Sequence, residues 1–162
     1  MSSNFFDLLE RLVNANVDFV IVGGFAGITH GCTYVTQDID ICCDFSPLNL
    51  LRLQKALSDV HPVHRMTPKK QKLQLTKENS CQFNNLYLDT DIGQLDCISF
   101  VKGLGDFQKV KKASETIIVE RMKLRVLTLD ALIKTKKAMN RPRDRQAVLQ
   151  LQAIKKLKKK KS

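Results

Sequence analysis

The sequence predicts an α/β (α+β) domain in which a small mixed, mainly antiparallel sheet is flanked by helices. Two short apolar runs rich in β-branched residues, at 18–22 and 38–43, are typical of buried strands. Apolar residues at a spacing of three to four predict amphipathic helices before and after them. The 162 residues, 43% of them hydrophobic, suit one domain that can bury a core of its own.

The first half of the chain is predicted to alternate helices and strands. Gly23 and Gly24 end the first strand, and Gly31 stops the short helix that follows. Ser46 is a suitable N-cap and Pro47 suits a first helical position, so a helix is expected directly after them. The predicted elements, in chain order, are a helix at 4–16, a strand at 18–22, a short helix at 25–30, a strand at 38–43 and a helix at 48–57.

The second half is predicted to contain two strand pairs and two helices. Asp89, Thr90 and Asp91 form the expected turn of the first pair, and Gly103 and Gly105 mark a loop after it. The polar stretch 61–80 predicts at most one strand, at 72–76. The other predicted elements are strands at 81–88, 92–100, 116–120 and 124–127 and helices at 129–140 and 142–157.

No internal repeat or inter-domain linker is present, so residues 1–154 are expected to form a single domain. Its core is residues 1–101, and residues 102–154 add the C-terminal strands and helices. The lysine-rich tail, 155–162, is expected to be disordered.

The charge is divided unequally along the chain. Residues 1–101 hold 8 basic and 11 acidic side chains, a net charge of −3, whereas residues 102–162 hold 19 and 5, a net charge of +14. Such a split favours a protein that handles cations with one part and polyanions with another.

The sequence indicates a cytoplasmic protein without a membrane span. It contains no run of 18 apolar residues, and its N-terminus lacks the basic and apolar regions of a secretory signal. The five cysteines include no CxxC pair, which favours reduced thiols over a disulfide framework or a zinc site.

Asp38 and Asp40 are the most informative pair of residues. Positions i and i+2 of a strand point to the same face, so the two carboxylates project together, roughly 7 Å apart at the backbone. Carboxylates so placed repel one another unless a cation lies between them, and Mg²⁺ prefers one or two carboxylates plus phosphate oxygens. The alternative is a strand end whose aspartates simply face water.

Asp96 is a candidate for a third carboxylate in the same place. It interrupts an otherwise apolar strand, where an isolated buried carboxylate would be costly. If that strand lies beside 38–43, three carboxylates meet, as in two-metal sites for phosphoryl transfer. Asp89 and Asp91 are alternative third ligands, although both suit a turn better.

Gly23 and Gly24 form a second candidate feature. Glycine lets the backbone approach a phosphate closely, and a following helix presents unbonded N–H groups. A tight turn is the alternative explanation of the pair. Neither a Walker A motif nor GxGxxG is present, which argues against ordinary P-loop and Rossmann sites.

The stretch from Val22 to Ile41, VGGFAGITHGCTYVTQDIDI, resembles the signature of the DNA polymerase β-like nucleotidyltransferase superfamily. It is most similar to the small prokaryotic branch that includes abortive-infection and toxin–antitoxin nucleotidyltransferases. The later stretch 132–144, LIKTKKAMNRPRD, is similar to the same branch. The resemblance covers roughly residues 18–154.

The resemblance implies specific roles for these residues. Asp38, Asp40 and Asp96 would hold two Mg²⁺ ions, with Mn²⁺ as a substitute, and Asp96 would also activate the attacking hydroxyl. Gly23 and Gly24 would bind the triphosphate of an NTP such as ATP. Thr36 matches the family pattern, whereas Tyr34 stands where the family often has arginine and cannot supply a charge to phosphate.

The C-terminal stretch contributes Lys136, Arg141 and Asp144. Lys136 interrupts an apolar helix face, which indicates either a phosphate-binding cation with a catalytic role or a snorkelling lysine. Arg141 is a candidate nucleotide-binding residue. Asp144 either orients one of these cations or favours a helix N-terminus. His30 fits the family pattern and is more often structural than catalytic.

The leading functional prediction is a Mg²⁺-dependent nucleotidyltransferase that moves an NMP from an NTP to a hydroxyl. The acceptor is an RNA 3′ end, a protein or a small molecule, and the basic C-terminal half favours RNA such as tRNA. The resemblance adds a toxin-type role and an antitoxin partner. The alternative is a catalytically degenerate RNA-binding or regulatory module on the same fold; a DNA-binding transcription factor does not explain the carboxylates.

Overall fold

The computed structural model of the protein describes residues 3–33 and 38–161, with side chains from residue 5 onward. Its described helices are α1 Ser3–Asn14, α2 Gly23–Thr29, α3 Pro47–Leu57, α4 Phe107–Lys112, α5 Leu129–Met139 and α6 Pro142–Lys161. Its described strands are β1 Phe19–Val22, β2 Asp38–Cys43, β3 Val63–His64, β4 Asn85–Thr90, β5 Gly93–Ile98, β6 Phe100–Val101, β7 Gly105–Asp106, β8 Ser114–Val119 and β9 Met122–Leu127. No described helix is both long and apolar enough to cross a membrane.

Seven of these strands form one mixed sheet in the order β3-β4-β5-β2-β1-β9-β8. The pairs β2–β5 and β1–β9 are parallel, and the other four neighbouring pairs are antiparallel. Strands β6 and β7 form a separate hairpin. This arrangement confirms the predicted α+β class with a mainly antiparallel sheet flanked by helices.

The core lies between the sheet and the N-terminal helices. All four residues of β1 are buried, as a central strand of β-branched residues should be. The apolar faces of α1 and α3 cover that part of the sheet, and the leucines on those faces are fully buried. The members that lose all solvent contact are Leu8, Leu9, Leu12, Leu50, Leu53 and Leu57.

Asn49 of α3 connects the two central strands through its buried amide. Its Oδ1 accepts a hydrogen bond from the Asp18 N–H (2.7 Å), and its Nδ2 donates to the carbonyl oxygens of Asp18 and Asp44. Buried backbone groups at strand ends must find partners, so this side chain fixes the start of β1 beside the end of β2.

Helices α5 and α6 form an antiparallel pair beside α2. Thr128 caps α5 as predicted, accepting a hydrogen bond from the Ala131 N–H. The helix ends at Asn140, whose φ of 52° is the left-handed conformation typical of a helix C-terminus. Pro142 then begins α6, as the sequence predicts.

The first predicted strand pair differs from the structure at its start and at its turn. Residues Ser80–Gln82 form a 3₁₀ turn because Thr76 and Asn79 exchange side-chain hydrogen bonds with each other's N–H groups, which competes with strand pairing. Asp89 and Thr90 belong to β4, so the turn begins at Asp91.

Other segments also differ from the sequence prediction, among them β3 and the β6–β7 hairpin, which were not predicted. The stretch 72–76 is not a strand and makes one isolated bridge, Val63 to Lys72. Helix α4 was not predicted; it is short and is capped by Asp106, which accepts a hydrogen bond from the Lys109 N–H. Helix α6 continues through the expected disordered tail to Lys161, because lysine is a good helix former and cations favour a helix C-terminus.

Candidate active site

The register of three neighbouring strands places four carboxylates on one face of the sheet. Asp40 of β2 pairs with Asp96 of β5, and Asp38 pairs with Gln94. Gln94 in turn pairs with Asp89 of β4. Residues paired across strands share a face, so the three predicted metal ligands are neighbours and Asp89 lies beside them. Asp89 belongs to this face because β4 extends into the predicted turn, as far as Thr90.

Gly23 brings the backbone directly against this face. Val22 pairs with Asp40, and Gly23 follows with a φ of 69°, in the left-handed region. A Cβ atom at Gly23 would lie 2.2 Å from Oδ2 of Asp40, which no real contact allows. Glycine is therefore required both for the backbone turn and for the closeness of Asp40.

Two of these carboxyls, those of Asp38 and Asp40, have raised pKa values. Burial, followed by the charges of Asp96 and Asp38, raises the pKa of Asp40 to about 6, against the opposing effects of Lys136 and Arg65. Burial, followed by the charge of Asp96, also raises the pKa of Asp38. Crowded negative charge of this kind favours a cation on this face of the sheet.

Arg65 is a cation that lies against these carboxylates, and Lys70 also pairs with Asp89. Its guanidinium donates a 2.7 Å hydrogen bond to Oδ1 of Asp96 and lies 3.9 Å from Oδ1 of Asp89, with Tyr87 beneath it at 6.0 Å from the ring centre. Sequence reasoning missed this residue because it lies in the polar stretch 61–80, which has no periodic pattern. Only the pairing of β3 with β4 brings it to Asp96.

The donor chemistry fits Mg²⁺, since carboxylate oxygens are the ligands this ion prefers. Among the residues that the structure describes, however, no group of three or more His, Cys, Asp or Glu side chains is arranged to hold a metal ion. Asp96 already binds Arg65 through one oxygen. The carboxylates are therefore gathered on one face without forming a ready metal cage.

Lys136, Arg141 and Asp144 come together where α5 meets α6. Lys136 Nζ lies 3.6 Å from Oδ1 of Asp144, and Arg141 Nε donates a 2.6 Å hydrogen bond to Oδ2. The Arg141 hydrogen bond is the main cause that lowers the pKa of the buried Asp144 carboxyl to about 2. Asp144 thus orients both cations, and the charge of Lys136 reaches Asp40 and lowers its pKa.

His30 has a structural role in the described fold. It is buried, and its Nε2 donates a 2.7 Å hydrogen bond to the carbonyl oxygen of Leu127, which joins the end of α2 to the end of β9. Thr36 and Tyr34 lie outside the described residues.

Comparison with known proteins gives the fold and not the family. Neither a protein-family model nor a curated protein matches the chain. The lincosamide antibiotic adenylyltransferase LnuA with bound lincomycin matches with a TM-score of 0.63 at 15% identity, over 95% of this chain and 98% of that one.

Two further structures agree with this match. ANT(2″)-Ia in complex with adenylyl-2″-tobramycin has a TM-score of 0.56 at 13% identity and covers 91% of this chain and 84% of its own. An antigenic nucleotidyltransferase-like protein from Paracoccidioides brasiliensis has a TM-score of 0.54 at 13% identity, over 91% and 74%. The chain therefore has a nucleotidyltransferase fold.

Proposed function

We propose that the protein is a metal-dependent nucleotidyltransferase that moves an NMP from an NTP to a hydroxyl group. The observation that carries this proposal is the position of Asp38, Asp40 and Asp96 on one sheet face, with Gly23 against Asp40. In the reaction, the acceptor oxygen bonds to the α-phosphorus of the NTP, and the bond from that phosphorus to pyrophosphate breaks.

The three aspartates are the proposed ligands of two Mg²⁺ ions, for which Mn²⁺ can substitute. Their crowding supports this assignment, because burial and the charge of Asp96 raise the pKa values of Asp38 and Asp40, and a divalent cation would stabilise the ionised carboxylates. Bound Mg²⁺ neutralises phosphate charge and acts as a Lewis acid in such sites.

The remaining roles follow from position and charge. Asp96 takes the proton of the acceptor hydroxyl as general base. Gly23 and Gly24 have no side chains, so a triphosphate can approach their backbone closely. Lys136 supplies positive charge and is oriented by the buried Asp144. Thr36 and Arg141 are proposed as further nucleotide-binding residues.

The proposed acceptor is an RNA 3′ end, because residues 102–162 carry a net charge of +14. The names of LnuA and the ANT(2″)-Ia complex point instead to small antibiotic molecules, which are the main alternative acceptor. A toxin role with an antitoxin partner rests on the sequence resemblance alone. Five free cysteines agree with a cytoplasmic location.

The assay for this proposal supplies each labelled NTP, Mg²⁺ and total RNA, with lincomycin and tobramycin in parallel reactions. We expect label transfer from the wild type and a loss of about 10³-fold or more in Asp38→Asn, since electrostatic stabilisation is usually the largest catalytic effect. Glu78→Gln, an exposed acid in the loop before β4, is the matched control and should retain activity. Transfer that survives in Asp38→Asn would refute the assigned site.

A catalytically degenerate module on the same fold is the second candidate. The specific observation in its favour is the ion pair of Arg65 with Asp96, which occupies one of the three carboxylates. Absence of transfer to every acceptor, together with no Mg²⁺–NTP binding by calorimetry, would support this candidate over the enzyme.

A further inference from the structure

A second candidate site lies at the opposite end of β1 from Gly23. It is a cavity of about 370 Å³, within the range of about 300–1,000 Å³ that is usual for small-ligand sites. Five separate elements or their ends form its wall, since α1, β1, α3, α4 and β9 all contribute. The polar lining residues are Asn16, Asp18, Arg52, Lys111, Lys123 and Arg125.

The charge of this cavity is strongly unbalanced. Four of its side chains are cations and only Asp18 is an anion. Asp18 is bound by Lys111, whose Nζ lies 3.1 Å from both carboxylate oxygens. Asp18 neutralises Lys111, so the other three cations of the cavity have no carboxylate in its lining to neutralise them.

The two arginines contact only neutral groups in the described structure. Arg52 donates to the carbonyl oxygen of Asn16 at 3.5 Å, and Arg125 donates to Oγ of Ser114 at 3.4 Å. Each guanidinium has five N–H donors in a planar fork that matches phosphate oxygens. Lys123 lies two residues before Arg125 in β9, on the same face of the strand.

We propose that this cavity binds a phosphate group, and that the backbone of an RNA strand supplies it. Three uncompensated cations around one concave space are suited to a polyanion. The exposed Lys109 and Lys112 of α4 continue the positive charge outside the cavity, as an extended strand requires. A free phosphate ester carries the same group and is the alternative source of the bound phosphate.

The cavity is separate from the proposed nucleotide site. Asp18 and Gly23 are five residues apart along an extended strand, which corresponds to about 17 Å. A phosphate bound here is therefore not part of an NTP held at Gly23. The proposal does not depend on the transferase reaction, because binding can be measured without NTP.

Asp18 competes with the ligand in this arrangement. A phosphate that enters the cavity must share Lys111 with the Asp18 carboxylate, which faces the same space. Removing that negative charge should strengthen phosphate binding, whereas a merely structural ion pair would show no such effect. The pair is half-buried and reached by solvent, so its loss should cost little stability and the variant should fold.

The test measures binding of a labelled single-stranded RNA by fluorescence anisotropy over a range of salt concentrations. In Lys123→Gln/Arg125→Gln we expect at least a fivefold loss of affinity, and the slope of log K against log salt should fall by about 1.4 for two lost contacts. The matched control is Lys72→Gln/Lys77→Gln, which removes the same charge from the exposed loop between β3 and β4. Asp18→Asn should bind RNA more tightly than the wild type.

The experiments distinguish an RNA strand from a free phosphate ester as the ligand, and they can also overturn the proposal. Calorimetry with inorganic phosphate and with a nucleoside 5′-monophosphate forms the second arm. One outcome is that the small ligands bind, that the cavity variants weaken this binding, and that RNA does not bind. This outcome supports the phosphate site and identifies its ligand as a free ester. Equal losses in the cavity and control variants, or no binding of any phosphate probe, would overturn the proposal; thermal melting checks that each variant is folded.

Discussion

At the scale of single residues, the closeness of the Asp40 carboxylate explains why position 23 is a glycine. The left-handed backbone of Gly23 and the buried carboxylate of Asp40 occupy adjoining space, so position 23 has no room for a side chain. The Gly-Gly pair in the sequence indicated a turn or a phosphate-binding backbone. Only the pairing of Val22 with Asp40 shows that the turn is built against a carboxylate.

Gly23→Ala should abolish nucleotidyl transfer. The added methyl group would displace Asp40, and the positive φ would add a backbone strain of about 1–3 kcal/mol. Gly31→Ala is the matched control: Gly31 also has a positive φ, but its Cβ would lie 3.7 Å from Ile154. Both variants should lose stability in urea, and only Gly23→Ala should lose transfer. Comparable activity in the two variants would contradict this explanation.

At the scale of elements, the contact between α5 and α6 sets the position of Lys136. The helices are joined by Asn140 and Arg141, and their pairing places Asp144 between Arg141 and Lys136. The sequence left two explanations of Asp144 open. The structure supports the orienting one, because the carboxylate is buried and both cations contact it.

Asp144 should make stability depend on pH in the acid range. Its folded pKa of about 2 is below the ordinary aspartate value of 3.8, so its contribution is complete above about pH 4 and is lost as the pH falls towards 2. Asp144→Asn should therefore be less stable at pH 7 by about 2 kcal/mol. The difference from wild type should shrink at pH 2.

Urea denaturation at both pH values measures this effect. Asp130→Asn is the control, because Asp130 is an exposed aspartate that pairs with Lys155, and exposed pairs contribute little. A difference between Asp144→Asn and wild type that stays constant down to pH 2 would show that Asp144 stabilises by packing and not by charge.

At the scale of the whole molecule, the two ends of β1 have opposite chemistry. Carboxylates gather beside Gly23, and cations gather around Asp18. The sequence shows a basic and an acidic half, but the fold mixes them, since Arg52 of the acidic half joins the basic cavity and Lys136 of the basic half approaches Asp40.

Deletion of residues 156–162 should weaken RNA binding and leave NTP binding unchanged. The deletion removes five lysines from the end of α6 but keeps the ion pair of Lys155 with Asp130. Phosphate contacts depend on net positive charge, whereas α6 serves the proposed nucleotide site only through its first turn, where Asp144 lies, and the deletion leaves that turn in place. Anisotropy with RNA and calorimetry with NTP test the two effects, and equal losses of both would mean that the helix end supports the nucleotide site.

Much of the fold could be predicted because its signals are local. The apolar runs of β1 and β2, the periodic leucines of α1 and the caps of α3 and α5 each occupy a few adjacent residues. The same is true of Asp38 and Asp40, whose alternation in one strand is visible in the sequence. Elements too short to show a periodic apolar pattern, such as α4 and the 3₁₀ turn before β4, could not be predicted in this way.

The sequence by itself determined the fold class, the central strands and the identity of three neighbouring carboxylates. Tertiary structure alone decided that Asp89 lies beside them and that Arg65 binds Asp96. The first depends on the long-range register of β2 with β5, and the second on the pairing of β3 with β4. It also decided where the basic charge converges, since α1, α3, α4 and β9 are far apart in the chain. Local patterns are set by the backbone geometry of adjacent residues, whereas a site is set by which strands pair and in which register.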